Sequence, residues 1–147
     1  MLIRQLANEE LEQLSTIDAL VNLNPWSLAD YLGLAPHQQA WGIFTGPNKL
    51  AGGCVYSQVL DQGEILQLCI TRANQRQGLA RQILTAVCAQ MQQNSVSEIF
   101  LEVRIDNLAA IKLYQALGFN QISIRKNYYF INQRRFDAIL MVKTICL

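Results

Sequence analysis

The sequence predicts an α/β (α+β) fold, a mixed β-sheet with helices packed against it. Three neighbouring strand-like segments between residues 39 and 70 are joined by short turns, which predicts an antiparallel meander. Beyond the meander, segments with apolar residues at helical spacing alternate with further strand-like segments, which is typical of crossover helices. The predicted order of elements is βααβββαβαββ.

One strand and two helices come first. Residues 2–6 are predicted to form a strand, and a helix is predicted from about Asn8, whose side chain can cap its start. The segment NPWSLADYL predicts a short second helix capped by Ser27. The apolar residues at helical spacing are Leu11, Leu14, Ile17 and Leu20 in the first helix, and Leu28, Tyr31 and Leu32 in the second.

The remaining elements form the sheet and its crossovers. The meander strands are predicted in QAWGIFT, LAGGCVYSQVL and EILQLCI, with turns at GPNK and DQG. A helix from about Gly78 to Gln92 should pack on the sheet through Leu79, Ile83, Val87 and Met91. The last elements are a strand in SEIFLEVRI, a helix in NLAAIKLYQAL capped by Asn107 and ended by Gly118, and strands in FNQISIRKN and FDAILMVKTI.

Composition limits the kind of protein. The chain has 147 residues, 51% of them apolar and 16% charged, which predicts one globular domain over residues 1–147 with a sizeable core. A formal net charge of +1 gives no general reason to expect nucleic acid or an anionic membrane as partner. No apolar segment approaches the roughly 18 residues that a membrane span needs. We therefore expect a cytoplasmic monomer that binds neither a membrane nor nucleic acid directly.

The cysteines and the histidine offer little for a metal site. The four cysteines, Cys54, Cys69, Cys88 and Cys146, form no C-x-x-C pair, and three of them lie in apolar segments where cysteine is usually a small buried hydrophobe. His37 is the single histidine, so a zinc site or a Ser-His or Cys-His catalytic pair has almost no residues to draw on. We expect a reducing compartment and no metal.

The segment RANQRQGLARQI lies where a buried strand meets a helix. Unpaired backbone N–H groups and the positive end of the helix dipole favour an anion at such a junction, and a glycine lets the backbone approach it closely. The segment reads Q-x-x-G-x-A, which is neither a P-loop nor a Rossmann dinucleotide motif. From the residues alone, a phosphate site and an ordinary helix start with solvated arginines both stay open.

Glu102 is a carboxylate between Leu101 and Val103 in an otherwise apolar strand. Burying a carboxylate is costly unless it is hydrated or hydrogen-bonded. Either its face of the strand is wet, or the sheet opens there into a cleft in which the carboxylate can accept a proton. Asn107 and Tyr114 share one face of the next helix, although a helix cap and a half-buried core tyrosine would also explain them.

Together these motifs resemble the GNAT superfamily of acetyl-CoA-dependent N-acetyltransferases over about residues 39–143. Within it the chain is most similar to the bacterial ribosomal-protein-alanine N-acetyltransferases, which modify the N-terminal alanine of ribosomal small-subunit protein eighteen. The motifs that carry this similarity are PWS at 25–27, LEVR at 101–104, N-x-A-A-I-x-L-Y from Asn107, IRKNYY at 124–129 and DA from Asp137. Gln67, Cys69, Ala73 and Ala80 depart from the usual residues and leave the coenzyme affinity open.

The resemblance implies acetyl-CoA as co-substrate and a protein N-terminal peptide as acceptor. The coenzyme A pyrophosphate would be held by Arg76, Gln77, Gly78, Leu79, Ala80 and Arg81. The pantetheine arm would pair with the backbone of Leu68, Cys69 and Ile70 and contact Asn107. The acceptor would be bound by Trp26, Tyr128 and Tyr129. The last two lie in a predicted loop, RKNYYFINQRR, whose residues alone also allow RNA stacking or solvated arginines beside core tyrosines.

By the same resemblance, Glu102 is the general base and Tyr114 the acid that protonates the departing coenzyme A thiolate. One carboxylate suits a peptide amine, whose pKa of about 7.7–8.0 lies below the roughly 10.4 of lysine. A rival scheme forms an acyl-enzyme on Cys69, although no histidine is at hand to activate it. The rival functions are acetylation of a protein lysine or of a small amine such as a polyamine or an antibiotic, and acyl-CoA binding without turnover.

Overall fold

The computed structural model describes residues 1–145, which form one seven-stranded mixed sheet with helices on both faces. The strands are β1 Leu2–Gln5, β2 Gln38–Gly46, β3 Lys49–Val59, β4 Gln62–Ile70, β5 Glu98–Arg104, β6 Asn120–Ile131 and β7 Arg134–Thr144. The α-helices are α1 Asn8–Val21, α2 Leu28–Leu32, α3 Leu79–Gln93 and α4 Leu108–Ala116, and a 3-10 turn covers Arg72–Asn74. The predicted order βααβββαβαββ is confirmed.

The strands lie in the order β1-β2-β3-β4-β5-β7-β6. Neighbours are antiparallel except for β4 and β5, whose parallel pairing requires the crossover that α3 supplies. This parallel register runs only from Gln62 opposite Glu98 to Ile65 opposite Leu101. Both strands continue beyond that point without pairing to each other, so the sheet opens at their carboxyl ends.

Each face of the sheet has its own hydrophobic core. The helices α3 and α4 cover one core, in which Ile83 is fully buried, and α1 and α2 cover the other, in which Leu14 is fully buried. The alternation of side chains along β3 serves both, because Cys54 and Tyr56 point into the first core and Val55 into the second. The predicted apolar stripe of α3 is confirmed by this packing.

The start of α1 differs from the prediction. Asn8 is the first helical residue and not the cap, because the N-cap position falls on Ala7. The Glu10 carboxylate accepts the backbone N–H of Ala7 at 2.9 Å and two Arg4 N–H groups at 2.8 Å. These contacts, that of Arg4 first, lower the pKa of Glu10 to about 2. Glu10 therefore supplies the half of a capping box that binds the N-cap N–H, while Ala7 has no side chain that could accept an N–H of the first turn.

The other predicted helix ends are confirmed. Ser27 Oγ accepts the Asp30 N–H at 3.0 Å, Asn107 Oδ1 accepts the Ala110 N–H at 3.3 Å, and α4 ends before Gly118, whose φ is +93°. Not every apolar position of the first two helices is covered. Leu11, Leu14 and Tyr31 are buried, whereas Leu20, Leu28 and Leu32 are exposed.

Two predicted turns are wrong. The turn before β4 lies at Leu60 and Asp61, so that most of DQG already belongs to the strand. The predicted loop RKNYYFINQRR is mostly strand, because β6 continues to Ile131 and only Asn132 and Gln133 turn the chain. Their φ angles of 51° and 64° are those of a tight hairpin turn. Asn132 suits such a turn, but Gln133 stands where glycine usually follows, and this weakened the sequence signal.

Candidate active site

The parting of β4 and β5 opens a cleft of about 350 Å³. A second depression of about 440 Å³ adjoins it, and Glu102 and Tyr129 line both. The cleft walls are residues 65–68 of β4, 101–104 of β5, 21–24 at the end of α1, and Asn107, Ala110 and Tyr114 around α4. The depression adds Trp26, Glu64 and Tyr128. The structure therefore brings the predicted catalytic and acceptor-binding residues to one continuous surface.

Glu102 faces this cleft from β5. Leu101 and Val103 on either side point into the core, and strand alternation turns Glu102 to the opposite face. Its side chain is only 17% exposed, and Oε2 is buried without a hydrogen-bond partner among residues 1–145. Arg125 Nε lies 3.7 Å from this oxygen. Of the two explanations that the sequence allowed, the opening of the sheet into a cleft is the one observed.

The charge of Glu102 acts on the ionisable groups around it. Burial, followed by that charge, raises the pKa of Glu64 and of Tyr128, and raises the pKa of Tyr129 to about 12. Both tyrosine hydroxyls therefore stay protonated well above neutral pH. Around a carboxylate that can only accept, they are available as hydrogen-bond donors.

Tyr114 reaches the cleft from α4 and is 8% exposed. Its ring packs edge-on against Phe119, with the ring centroids 5.9 Å apart. Burial is the largest of the causes that raise the pKa of Tyr114 far above its usual value, so the hydroxyl is protonated throughout the neutral range. Asn107 lines the same cleft, which confirms that the two residues share a face of the helix.

The Q-x-x-G-x-A segment follows the end of β4 by one 3-10 turn. Gly78 is the N-cap of α3 with a left-handed φ of +81°, and a Cβ at this position would meet no atom within 4 Å. The first bond of the helix runs from the Gln82 N–H to the Gly78 carbonyl at 3.1 Å, so the N–H groups of residues 79–81 have no helical acceptor. Arg76 and Arg81 are exposed beside them. This segment suits an anion. It offers unpaired N–H groups, the positive end of the helix dipole, two cationic side chains and open space at Gly78.

A bulge in β6 shapes the wall of the depression. Residues 126–128 stand opposite Asp137 alone, and the Asp137 carboxylate accepts the Asn127 N–H at 2.9 Å. The rings of Tyr128 and Tyr129 lie edge to face with their centroids 5.1 Å apart, and both line the depression. Tyr128 is 49% exposed and is thus not a core residue.

The three predicted coenzyme residues of β4 differ in direction. Leu68 lines the cleft, whereas Cys69 and Ile70 are buried in the two cores on opposite faces of the sheet. Burial, followed by the charge of Asp18, raises the pKa of Cys69 to about 12. The thiol is therefore protonated and away from the cleft, and an acyl-enzyme on Cys69 finds no support in the structure.

Three charged residues of the cleft region, Glu64, Arg104 and Arg125, were not among the predicted site residues. Glu64 carries the signal that identified Glu102, a carboxylate in an apolar strand, and it lines the depression. Arg125 is part of IRKNYY, but only the position of β6 at the sheet edge, one strand away from β5, brings it to Glu102. Within residues 1–145 no group of three or more metal-ligating side chains comes together, and no helix is both long and apolar enough to cross a membrane. Cys146 lies outside the described residues.

Known proteins match this chain in both sequence and structure. Residues 3–119 match the acetyltransferase (GNAT) family. This chain belongs to that family. The acetyltransferase is 34% identical over 141 residues to the ribosomal protein bS18-alanine N-acetyltransferase of Haemophilus ducreyi, over 95% of this chain and 97% of that protein. The crystal structure of the ribosomal-protein-S18-alanine N-acetyltransferase from Escherichia coli superposes with a TM-score of 0.93 at 31% identity, over 99% of this chain and 94% of that one.

More distant structures share the fold. Arabidopsis thaliana NAA60 in complex with acetyl-CoA matches with a TM-score of 0.89 at 20% identity, over 98% of each chain. The predicted family and fold are thereby confirmed. The acetyltransferase is an N-acetyltransferase that takes its acetyl group from acetyl-CoA. The roles of individual site residues stay predictions.

Proposed function

We propose that this acetyltransferase modifies the α-amine of a protein N-terminus, specifically the N-terminal alanine of ribosomal small-subunit protein bS18. The observation that carries the proposal is that Glu102 and Tyr114 line one cleft at the point where β4 and β5 part. A relative with 34% identity over nearly the full length of both chains is named a ribosomal protein bS18-alanine N-acetyltransferase. The same cleft holds both groups that the transfer needs, a proton acceptor and a proton donor.

The acetyl donor, acetyl-CoA, would be held by backbone groups more than by side chains. The unpaired N–H groups of residues 79–81 and the open space at Gly78 fit the coenzyme A pyrophosphate. Beyond Ile65, β4 pairs with none of residues 1–145 on the β5 side, and an extended ligand arm can pair with its backbone there as a strand would. Leu68, Cys69 and Ile70 lie on this part of β4, and Asn107 faces it across the cleft.

Glu102 is the general base of the proposed reaction. The acceptor amine must lose a proton to attack the thioester carbonyl, and Oε2 of Glu102 is a buried acceptor without a donor among the described residues. A peptide amine has a pKa of about 7.7–8.0, so its neutral form costs roughly 3 to 4 kcal/mol less than that of a lysine amine. A single carboxylate, directly or through a water molecule, is then sufficient.

Tyr114 is the general acid. As the carbon–nitrogen bond forms and the carbon–sulfur bond breaks, the coenzyme A sulfur becomes a thiolate that needs a proton. Tyr114 lines the cleft, and its hydroxyl remains protonated because burial raises its pKa. The proton taken by Glu102 and the proton given by Tyr114 together balance the transfer.

The acceptor would enter through the depression between Trp26 and Tyr128. Its walls come from two separate parts of the chain, the segment between α1 and α2 and the bulge of β6. Their aromatic side chains suit an extended peptide better than a bare polyamine, because they offer apolar surface at the edge of the cleft.

One experiment tests the proposed function directly. The protein is incubated with acetyl-CoA and with three acceptors: a peptide with a free N-terminal alanine, the same peptide blocked at its N-terminus and carrying a lysine, and spermidine. We expect transfer to the free alanine, measured by mass spectrometry. Transfer only to the blocked peptide or to spermidine would replace the proposed acceptor, and binding of acetyl-CoA without transfer to any amine would point to a binding module.

A further inference from the structure

Asp18, near the end of α1, is a fully buried carboxylate that takes no part in the proposed chemistry. Four neutral groups donate hydrogen bonds to it. Asn22 Nδ2 lies at 2.6 Å, the Tyr31 hydroxyl at 2.7 Å, the Trp26 backbone N–H at 3.0 Å, and Gln67 Nε2 at 2.9 Å from both oxygens. One side chain thus joins α1, the segment between the two helices, α2 and β4.

This carboxylate has no cationic partner among residues 1–145. A buried charge of this kind is costly, and an apolar side chain of similar size would fill the same space without that cost. The donors offset the cost only when all of them are in place. Asp18 therefore does more than fill space, because it requires a particular arrangement of four chain segments.

The segments that Asp18 holds are walls of the active site. Residues 22–24 line the cleft, and Asn24 and Trp26 line the depression beside it. Two of the hydrogen-bond donors, Asn22 and Gln67, also make a second hydrogen bond between residues 22–24 and β4. Asn22 Nδ2 donates to the Leu68 carbonyl of β4 at 3.1 Å, and Gln67 Nε2 of β4 donates to the Asn24 carbonyl at 3.4 Å.

We propose that Asp18 is a positioning residue that holds residues 22–26 against β4 and so fixes the wall on which the acceptor peptide binds. It contacts neither substrate and acts through Asn22, Trp26 and Gln67. Glu102 and Tyr114 belong to β5 and α4, and the predicted pyrophosphate segment begins α3, none of which Asp18 contacts. The predicted pantetheine segment of β4 does receive one bond, from Asn22 to the Leu68 carbonyl, but its antiparallel pairing with β3 holds this backbone in place without Asp18. Loss of the carboxylate should therefore weaken acceptor binding selectively. The kinetic part of this inference rests on the proposed function.

The test variant is Asp18→Asn, which keeps the size of the side chain but removes the charge and one acceptor oxygen. With the N-terminal alanine peptide as substrate, we expect the KM for the peptide to rise about tenfold. The KM for acetyl-CoA and kcat should change less than about twofold. The matched control is Val87→Ala, a fully buried change in the α3 core that lowers Tm without touching these contacts.

Hydrogen exchange in the free enzyme gives a second readout that needs no acceptor. The Trp26 amide donates to Asp18, so residues 22–26 should exchange at least about tenfold faster in Asp18→Asn than in Val87→Ala. Exchange in β6 and β7 should be the same in both variants. If wild type fails to use the alanine peptide, the proposed function fails, and the exchange result alone decides this inference. Unchanged exchange at residues 22–26, or equal rises in both KM values, would overturn it.

Discussion

Arg125 of β6 reaches over β7 to Glu102 of β5, and its Nε lies 3.7 Å from Oε2 of the carboxylate. The arginine is 51% exposed, so solvent screens the attraction and the pair contributes little to stability. The pair instead affects the charge of the amine that binds in the cleft. A cation next to the carboxylate disfavours a second cation, and an acceptor amine that enters beside Arg125 is therefore more easily bound in the neutral form that attacks the thioester.

Replacement of Glu102 by glutamine tests the general base. The Glu102→Gln side chain has the same shape but cannot take up the proton of the amine, so kcat should fall more than about 100-fold. The dissociation constant of acetyl-CoA, measured by calorimetry, should stay within about twofold. The control is Glu64→Gln, a second carboxylate of the depression, for which we expect a loss below about fivefold. If Glu64→Gln shows the larger loss, the base is Glu64.

Tyr114→Phe tests the general acid. The ring keeps its contact with Phe119, so Tm should hardly change, whereas kcat should fall about 10- to 100-fold because no proton is given to the thiolate. A matched control is Tyr56→Phe, since Tyr56 is also buried in the same core and donates to Gln39 at 2.9 Å, away from the cleft. Equal losses of kcat in the two variants would contradict the role of Tyr114.

Gly78→Glu tests the pyrophosphate site. The added carboxylate should stand where the diphosphate binds, and repulsion between like charges should weaken acetyl-CoA binding at least about 100-fold. Gly118→Glu is the matched control, because Gly118 also has a left-handed φ, of +93°, and follows a helix at some distance from the cleft. Both variants should lose similar stability, as left-handed backbone disfavours any side chain. Equal affinities for acetyl-CoA in the two variants would leave the Gly78 segment as an ordinary helix start.

The contact between Arg4 and Glu10 predicts a pH-dependent contribution to folding. The pKa of Glu10 falls from 4.5 to about 2 in the folded protein, so the stabilisation is fully present above 4.5 and is lost as pH falls toward 2. Urea unfolding should show Glu10→Gln less stable than wild type at neutral pH, with the difference vanishing near pH 2. Glu9→Gln, at an exposed neighbouring position, should show no such convergence. A constant difference at all pH values would contradict the prediction.

The fold could be predicted from the sequence because its elements depend on local patterns. Strand alternation, helical spacing and the caps at Ser27 and Asn107 all follow from neighbouring residues. The fold predictions are wrong where a distant or unusual contact determines the local structure. The N-cap falls on Ala7, whose N–H bonds to Glu10, and Asn132 with Gln133 makes a tight turn without glycine.

The candidate site was predicted less completely for the same reason. Glu102 stood out because a carboxylate in a core strand is unusual in the sequence itself. Arg125, by contrast, comes from another strand, and Asp18 looks like an ordinary helical residue until Gln67 and Trp26 fold onto it. A hydrogen bond between residues 49 positions apart, such as Gln67 and Asp18, cannot be predicted from a local sequence pattern.

The short register between β4 and β5 has a mechanical consequence. Only four residue pairs, from Gln62–Glu98 to Ile65–Leu101, join β1–β4 to β5–β7 within the described sheet. Side chains from both halves pack into the core under α3 and α4, but no backbone pairing joins β4 to β5 at the open end. An acetyl donor lying along β4 would bridge the two halves of the sheet at this open end for as long as it stays bound.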